Sequence, residues 1–383
     1  MTASLTVTII ARNAERSIDR ALRSVREQGD WPILLVDDAS TDATVERATA
    51  VRGVAVIASE SHLGPGGARA LAVARLETPF GVWLDADDAL MPGRLERMRA
   101  ALERRDVDLV ADEADLIDCE TGEATAHLPV PEFLGDGSAL FRLLERNWLP
   151  SLHVGYARDL VQEIGYDPAL SCCEDYDLLR RALMAGARVG LMRSRGYRYT
   201  DRPGSISRDI AATRAASARL YAKQPADTVH GFLRAQGVSD VEAAWITASG
   251  ALFGQDHAAA RAWAAALVES DALSPVYGQP YGRLARFVLG ACALAIGDAV
   301  EAFDVFTELQ AETAAPEAAN NAGVAAARRG DHGRARALLG AALSAKPGDR
   351  DAAVNVARLD AGATDGFAVT SHPLRRAPSR DAY

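Results

Sequence analysis

The chain has 383 residues, 49% of them hydrophobic and 25% charged, a soluble globular composition too long for one ordinary core. Its formal net charge of −10 argues against nucleic acid as a partner. The 4 cysteines show no C-x-x-C spacing, and neither a basic apolar leader at Met1–Ser4 nor a bilayer-length apolar run is present, so the expectation is a cytoplasmic chain, with peripheral attachment at the inner membrane face open to it.

The first half alternates short apolar runs with helical stretches. Strands are predicted at Leu5–Ile10, Ile33–Val36, Val54–Ala58, Phe80–Leu84 and Val107–Ala111. Between them, Ala14–Gln28, Thr41–Val51, Gly66–Arg75 and Pro92–Arg104 carry helical spacing, the last with proline in its first turn. Continuous apolar strands alternating with helices predict an α/β domain with a mostly parallel sheet covered on both faces. Residues 113–150 mix acids, prolines and glycines, and read as an insertion with a helix at Leu140–Trp148. Helix and strand signals resume from Val154 to Tyr199.

From Pro225 to Asp360 the pattern is almost wholly helical. Two stretches align at a 33-residue offset: Gly290 with Gly323, Gly297-Asp298 with Gly330-Asp331, Ala302 with Ala335. A period near 34 residues with small residues at helix crossings resembles tetratricopeptide repeats. The predicted division is therefore 1–224, 225–360 and a disordered tail at 361–383.

Ligands of an open parallel sheet gather at the carboxyl ends of its strands. Asp37-Asp38 follows the second strand, Gly64-Pro65-Gly66-Gly67 precedes a helix after the third, and Asp85-Ala86-Asp87-Asp88 follows the fourth. Crowded carboxylates repel unless a cation joins them, and hard oxygen donors suit Mg²⁺ or Mn²⁺. The same acids also read as a solvated turn ahead of the helix at Pro92. The glycine loop offers helix-terminal amides to a phosphate, or is simply a tight turn. Glu174-Asp175 opens a helix, where acids are favoured by the dipole; one of them also suits proton removal from a hydroxyl. His153 reads as a partly buried structural histidine, and Tyr197 and Tyr199 as packing residues of a strand.

Taken in order, Thr6–Asn13, Val36–Asp42, Gly64–Arg69, Leu84–Asp88, Gly155–Asp167, Glu174–Leu178 and Tyr197–Ser207 resemble the inverting glycosyltransferases of family 2, of GT-A fold. The resemblance covers residues 4–210. It implies transfer of a sugar from a nucleotide-sugar, UDP being the commonest carrier, to a saccharide, lipid-linked or protein acceptor in surface polysaccharide or glycoconjugate synthesis. By it, Asp175 is the general base, oriented by Glu174. Asp37 and Asp38 meet the nucleobase, Arg69 lies near diphosphate or base, and Asp85, Asp87 and Asp88 hold Mn²⁺ or Mg²⁺, Asp87 first. Two departures stand out. Arg12 occupies a place where relatives have an aromatic, and so becomes a donor-binding candidate. Arg202, ahead of Gly204-Ser205, replaces a usual histidine and could meet the diphosphate.

Two other classes compete. A sugar-nucleotide nucleotidyltransferase shares the alternating sheet but usually opens with a glycine-rich, lysine-bearing loop, and Ala11–Glu15 has neither. An inactive scaffold would work through the helical repeats alone, which are equally suited to a protein partner or to self-association.

Overall fold

The computed structural model describes residues 4–135, 137–202 and 210–371. Its contacts define two compact units. Among the described residues, one holds the chain through Leu143 together with Asn147–Ser217; the other holds Leu144–Arg146 and residues 218–371.

The first unit is built on a nine-stranded mixed sheet. Its strands are β1 (Leu5–Ala11), β2 (Ile33–Asp37), β3 (Val54–Ala58), β4 (Phe80–Asp85), β5 (Ala89–Leu90), β6 (Leu109–Asp118), β7 (Ala124–Leu128), β8 (Gly155–Ala157) and β9 (Val189–Asp201). They lie in the order β3-β2-β1-β4-β8-β6-β9-β5, with β7 on the side of β6. The apolar runs β1 and β2 are buried almost throughout, each flanked by a strand on both sides. The quartet β3-β2-β1-β4 is parallel, as its helical crossovers require. Those crossovers are α1 (Ile18–Arg26), α2 (Thr44–Thr49) and α3 (Gly64–Ala74). Beyond β4 the sheet becomes mixed: β8 runs antiparallel to both β4 and β6, while β6 and β9 are parallel. Helices α4 (Arg94–Glu103), α5 (Arg158–Ile164) and α6 (Glu174–Met184) complete the layer packing, and α7 (Ile210–Ala222) leads out of the sheet.

The segment read as an insertion from residue 113 instead continues β6 to Asp118, buried as far as Ile117. Its acids disguised it. Asp112, Glu113 and Asp115 are buried because each has a basic partner: Arg94 at 2.9 Å, His127 at 3.0 Å and Arg195 at 3.5 Å. Buried carboxylates in a strand are tolerated only with such partners, and the partners lie far away in sequence. The helix expected at Leu140–Trp148 is a 3₁₀ stretch at Gly137–Leu144.

The second unit contains α8 (Ala226–Ala235), α9 (Asp240–Phe253), α10 (His257–Ala265), α11 (Tyr281–Ile296), α12 (Ala299–Thr313), α13 (Pro316–Arg328), α14 (His332–Ala345) and α15 (Arg350–Asp360). The 33-residue offset, and a longer 42-residue interval before it that starts at Asp256 and Ala260, have a local cause. Asp256, Asp298 and Asp331 each cap a helix, accepting a hydrogen bond from the amide three residues on. Gly290 and Gly323 sit where the following helix crosses: a Cβ at Gly290 would lie 2.9 Å from the Phe306 ring, and one at Gly323 2.8 Å from Leu339. The alanines Ala260, Ala302 and Ala335 are fully buried. No described helix is long and apolar enough to cross a membrane. Of the stretch 361–383 read as a disordered tail, residues 361–371 are described and partly held by the helices; the rest lies outside the described residues.

Candidate active site

The sheet register brings the acidic loops to one rim. Ala11, the last residue of β1, pairs with Asp37 on one side, while Ile10 pairs with Asp85 on the other. The loops after β1, β2 and β4 therefore leave the same edge of the parallel quartet, within one residue of each other in register.

On the β2 side the structure ties three loops together. The Asn13 amide donates to Ser40 Oγ at 2.8 Å, and the Thr41 amide donates to Asn13 Oδ1 at 2.9 Å. The buried Asp38 carboxylate accepts from the Leu63 amide, from the Gly64 amide at 3.0 Å and from His62 Nδ1 at 2.7 Å. It thus caps the start of α3, in the place where the sequence suggested a phosphate, because a helix N-terminus attracts whichever anion the fold delivers. Gly66 and Gly67 serve packing: a Cβ at Gly66 would lie 2.1 Å from the Asp167 carbonyl, and one at Gly67 2.9 Å from Leu63. Arg12 is exposed and reaches His62 Nε2 at 3.2 Å. Asp37 is buried, accepts the Ser40 amide at 3.0 Å through Oδ2, and leaves Oδ1 without a hydrogen bond.

On the β4 side a buried arginine joins two acidic segments. Arg69 is 3% exposed; its Nε donates to Glu174 Oε1 at 2.8 Å and one terminal nitrogen to Asp85 Oδ1 at 3.1 Å. The guanidinium lies 4.5 Å from the Trp83 ring centre. Arg69 is therefore a strut between β4 and the start of α6 as well as a positive charge at the rim. Burial, and then the charge of Asp175, push the Glu174 carboxyl up to about 7 against the pull of Arg69. Cys173, just ahead of α6, adopts φ 61°, a left-handed turn that starts the helix at Glu174. Asp175 is half-buried, and one of its oxygens accepts its neighbour Tyr176's amide at 2.6 Å.

Among the described residues, Asp85, Asp88 and His153 form a cluster whose donor atoms all lie within 4.8 Å of one another. His153 Nδ1 meets Ser151 Oγ at 2.5 Å, which directs Nε2 toward the acids. Nε2 lies 2.7 Å from Asp85 Oδ2, yet it is buried and makes no well-angled hydrogen bond. Asp88 accepts from the Thr200 amide at 2.7 Å. Burial, and then the neighbouring Asp87, push its carboxyl up to about 7. Asp85 is held below the ordinary range: the charges of His153 and Arg69 overcome the larger effect of burial. For His153, burial disfavours the cation, but Asp85 turns the balance and raises the imidazole pKa.

A buried scaffold fixes the cluster. The Tyr197 ring stacks on His153 with centroids 4.3 Å apart, and its hydroxyl accepts the Asp85 amide at 3.1 Å. Arg94, fully buried, forms a two-point pair with Asp112, donates to the His153 carbonyl, and lies over the Tyr197 ring. Gly196 permits this: a Cβ there would fall 1.6 Å from Asp112 Oδ2.

Asp87, the first-choice metal ligand of the sequence reading, lies outside this cluster. Its carboxylate pairs with Arg202 at 2.6 Å, and its carbonyl accepts from Arg20, which also donates to Thr200 Oγ1 at 3.0 Å. The cluster thus contains two of the three acids anticipated, with His153 where Asp87 was expected. His153 is buried rather than partly buried, and Tyr197 packs on it as a strand residue. Their contacts join strands distant in sequence, so no local pattern marks them. Gly204-Ser205-Ile206-Ser207 lies outside the described residues.

The donor set suits a divalent cation. Two carboxylates and an imidazole crowd together; one acid resists ionisation and one imidazole nitrogen lacks a good hydrogen bond, and a cation would relieve both.

The site is thus a rim of acids on a mixed α/β sheet. Residues 6–157 match the family model described as glycosyl transferase family 2. Two curated relatives, the succinoglycan biosynthesis proteins ExoO and ExoU of Rhizobium meliloti (strain 1021), are each 32% identical, over 225 and 219 residues. The matched stretch covers 53% and 52% of this chain but 62% and 63% of those proteins, so it spans under two thirds of their length. Among solved structures, S. aureus TarS 1-349 in complex with UDP-GlcNAc superposes with a TM-score of 0.53 at 16% identity, covering 80% of this chain and 90% of that one. Its complex with UDP gives 0.51 at 17% identity, with the same coverage. At such identity the likeness concerns the fold, which is of the GT-A kind followed by a helical region.

Proposed function

We propose that this chain is a metal-dependent inverting glycosyltransferase, moving a sugar from a UDP-sugar to an acceptor hydroxyl during polysaccharide assembly. The observation that carries the reading is the Arg69 strut. It links Asp85, a member of the Asp85/Asp88/His153 cluster, to Glu174, beside Asp175. A candidate diphosphate site and a candidate base are thereby held on one rigid frame, which catalysis by positioning requires. The succinoglycan biosynthesis names of the curated relatives support polysaccharide assembly, and the UDP and UDP-GlcNAc complexes of TarS support the carrier.

Asp85, Asp88 and His153 would hold Mn²⁺ or Mg²⁺, and the imidazole in the set favours Mn²⁺. When bound, the ion neutralises charge that builds on the departing diphosphate. Arg12, Asp37 and Asp38 form the nucleoside end, with Asp38 acting largely through the loop it organises. Arg202, exposed and paired with Asp87, is the cation that would turn to a phosphate oxygen. Asp175 accepts the acceptor's hydroxyl proton as that oxygen bonds to the anomeric carbon. The bond from that carbon to the diphosphate oxygen breaks, its electron pair leaves with the nucleotide, and the configuration inverts.

The test is UDP release from a panel of UDP-sugars with Mn²⁺ present. Asp175→Asn should reduce turnover by roughly 10²–10⁴-fold while UDP still binds. Undiminished turnover in that variant would remove Asp175 from the role. No turnover and no UDP binding in the unaltered chain would remove the transferase reading itself.

A further inference from the structure

Three asparagines are fully buried in the last helices: Asn320 and Asn321 in α13, and Asn355 in α15. The helices α13, α14 and α15 also bury a small apolar cluster of Ala319, Ala342 and Ala352. A buried amide without partners is strongly destabilising, so these side chains need a polar companion. They find one in the chain's own segment 367–370, which follows turns at Gly362 (φ 73°) and Gly366 (φ 69°).

The contacts are to main chain and they repeat. Asn321 Oδ1 accepts the Thr370 amide at 2.8 Å, while its Nδ2 donates to the Thr370 carbonyl at 2.9 Å. Asn355 does the same with Ala368: its Oδ1 accepts the amide at 2.6 Å, and its Nδ2 donates to the carbonyl at 2.8 Å. Each asparagine thus exchanges both bonds with one residue, as paired residues do in a β ladder. The two residues read are alternate ones, which share a face in extended chain. The two readers stand 34 residues apart, close to the helical repeat found in the sequence. Side-chain selection is confined to the ends: Phe367 is buried, and Thr370 Oγ1 donates to Asp351 at 2.8 Å and accepts from Asn320 at 3.1 Å.

A clamp built on main-chain bonds can hold another extended polypeptide whose end residues fit, not this segment alone. We propose that the α13–α15 face is a binding site for an extended peptide with an aromatic residue three positions before a hydroxyl residue, and that residues 367–370 occupy it in cis as a removable strap. The short glycine-containing tether gives the strap an effective concentration on the order of millimolar, so an outside peptide gains access when the strap is withdrawn. This inference stands apart from the sugar-transfer reading.

The test uses the full chain carrying Ala368→Pro and Thr370→Pro, which deletes both strap amides, and a second form ending after Gly366. A fluorescent peptide of residues 365–371 is titrated by anisotropy. Both opened forms should bind it at least tenfold more tightly than the intact chain. Asn321→Leu or Asn355→Leu should abolish binding in them, as should N-methylation of the peptide at Ala368 and Thr370. Replacing Val369 of the peptide by alanine should change little. Opened forms that keep their helical circular dichroism but bind no peptide would overturn the proposal. So would loss of folding in both, which would make the strap a structural element. Concentration-dependent dimers of the intact chain, without peptide binding by the opened forms, would overturn it in favour of strap exchange between copies.

Discussion

His153 Nε2 stands 2.7 Å from Asp85 Oδ2, between a residue that precedes β8 and one that ends β4. The stacked Tyr197 ring and the Ser151 hydroxyl fix the imidazole, so Nε2 faces the acids. If the trio holds Mn²⁺, His153→Ala should weaken Mn²⁺ by more than the about 10–100-fold typical of losing an outer partner of a metal ligand. Asp87→Asn, which breaks a pair with Arg202, should weaken it less. Calorimetric titration of Mn²⁺ into each variant distinguishes them; the reverse order would return Asp87 to the centre of the site.

The scaffold beneath the cluster depends on a missing side chain. A methyl group at Gly196 would collide with Asp112 and separate it from Arg94, leaving a buried charge without its partner. Gly196→Ala should therefore lose ~3 kcal/mol of stability or more, read as a lower urea midpoint. A loss under ~1 kcal/mol would mean that the Arg94–Asp112 pair shifts without breaking.

The buried Glu174 makes a pH prediction of definite sign. With its carboxyl pushed up to about 7, the folded chain keeps a proton that the unfolded chain has already released. Stability from this group must then fall as pH rises from the ordinary glutamate range to about 7, and level off above it, by ~3 kcal/mol in all. Glu174→Gln, which still accepts the Arg69 hydrogen bond, should remove this part of the slope. Urea unfolding at pH 5 and pH 8 supplies the comparison, and parallel slopes in the two proteins would refute it.

In the helical unit, Gly323→Ala places a methyl group 2.8 Å from Leu339. Overpacking of this kind typically costs ~1–3 kcal/mol. Combining it with Leu339→Ala should destabilise by less than the sum of the two single changes, because the second opens the space the first needs. Thermal melts of the four proteins complete the cycle; strict additivity would show that the two residues do not meet.

Much of the fold was legible in local pattern. The apolar runs of β1, β2 and β4 announce parallel strands because a strand buried on both faces has no polar side to show, while β3, at the sheet edge, is only partly covered. The offset of Gly290 and Gly323 announces helix crossings because only a residue without Cβ admits the next helix so closely. The acids Asp37, Asp38, Asp85 and Asp88 were legible as well, since crowded carboxylates at strand ends need an explanation. Pairing across the chain was not. Asp112 and Asp115 made β6 look like a loop, because their arginine partners come from α4 and β9. His153 and Tyr197 looked ordinary because their roles arise from stacking between distant strands. Asp38 caps α3 rather than standing open because β2 delivers it to the amides of residues 63 and 64. Residue spacing settles periodicity and turn chemistry, which are local. Which buried charge meets which depends on strand order and register, and only the assembled sheet decides those.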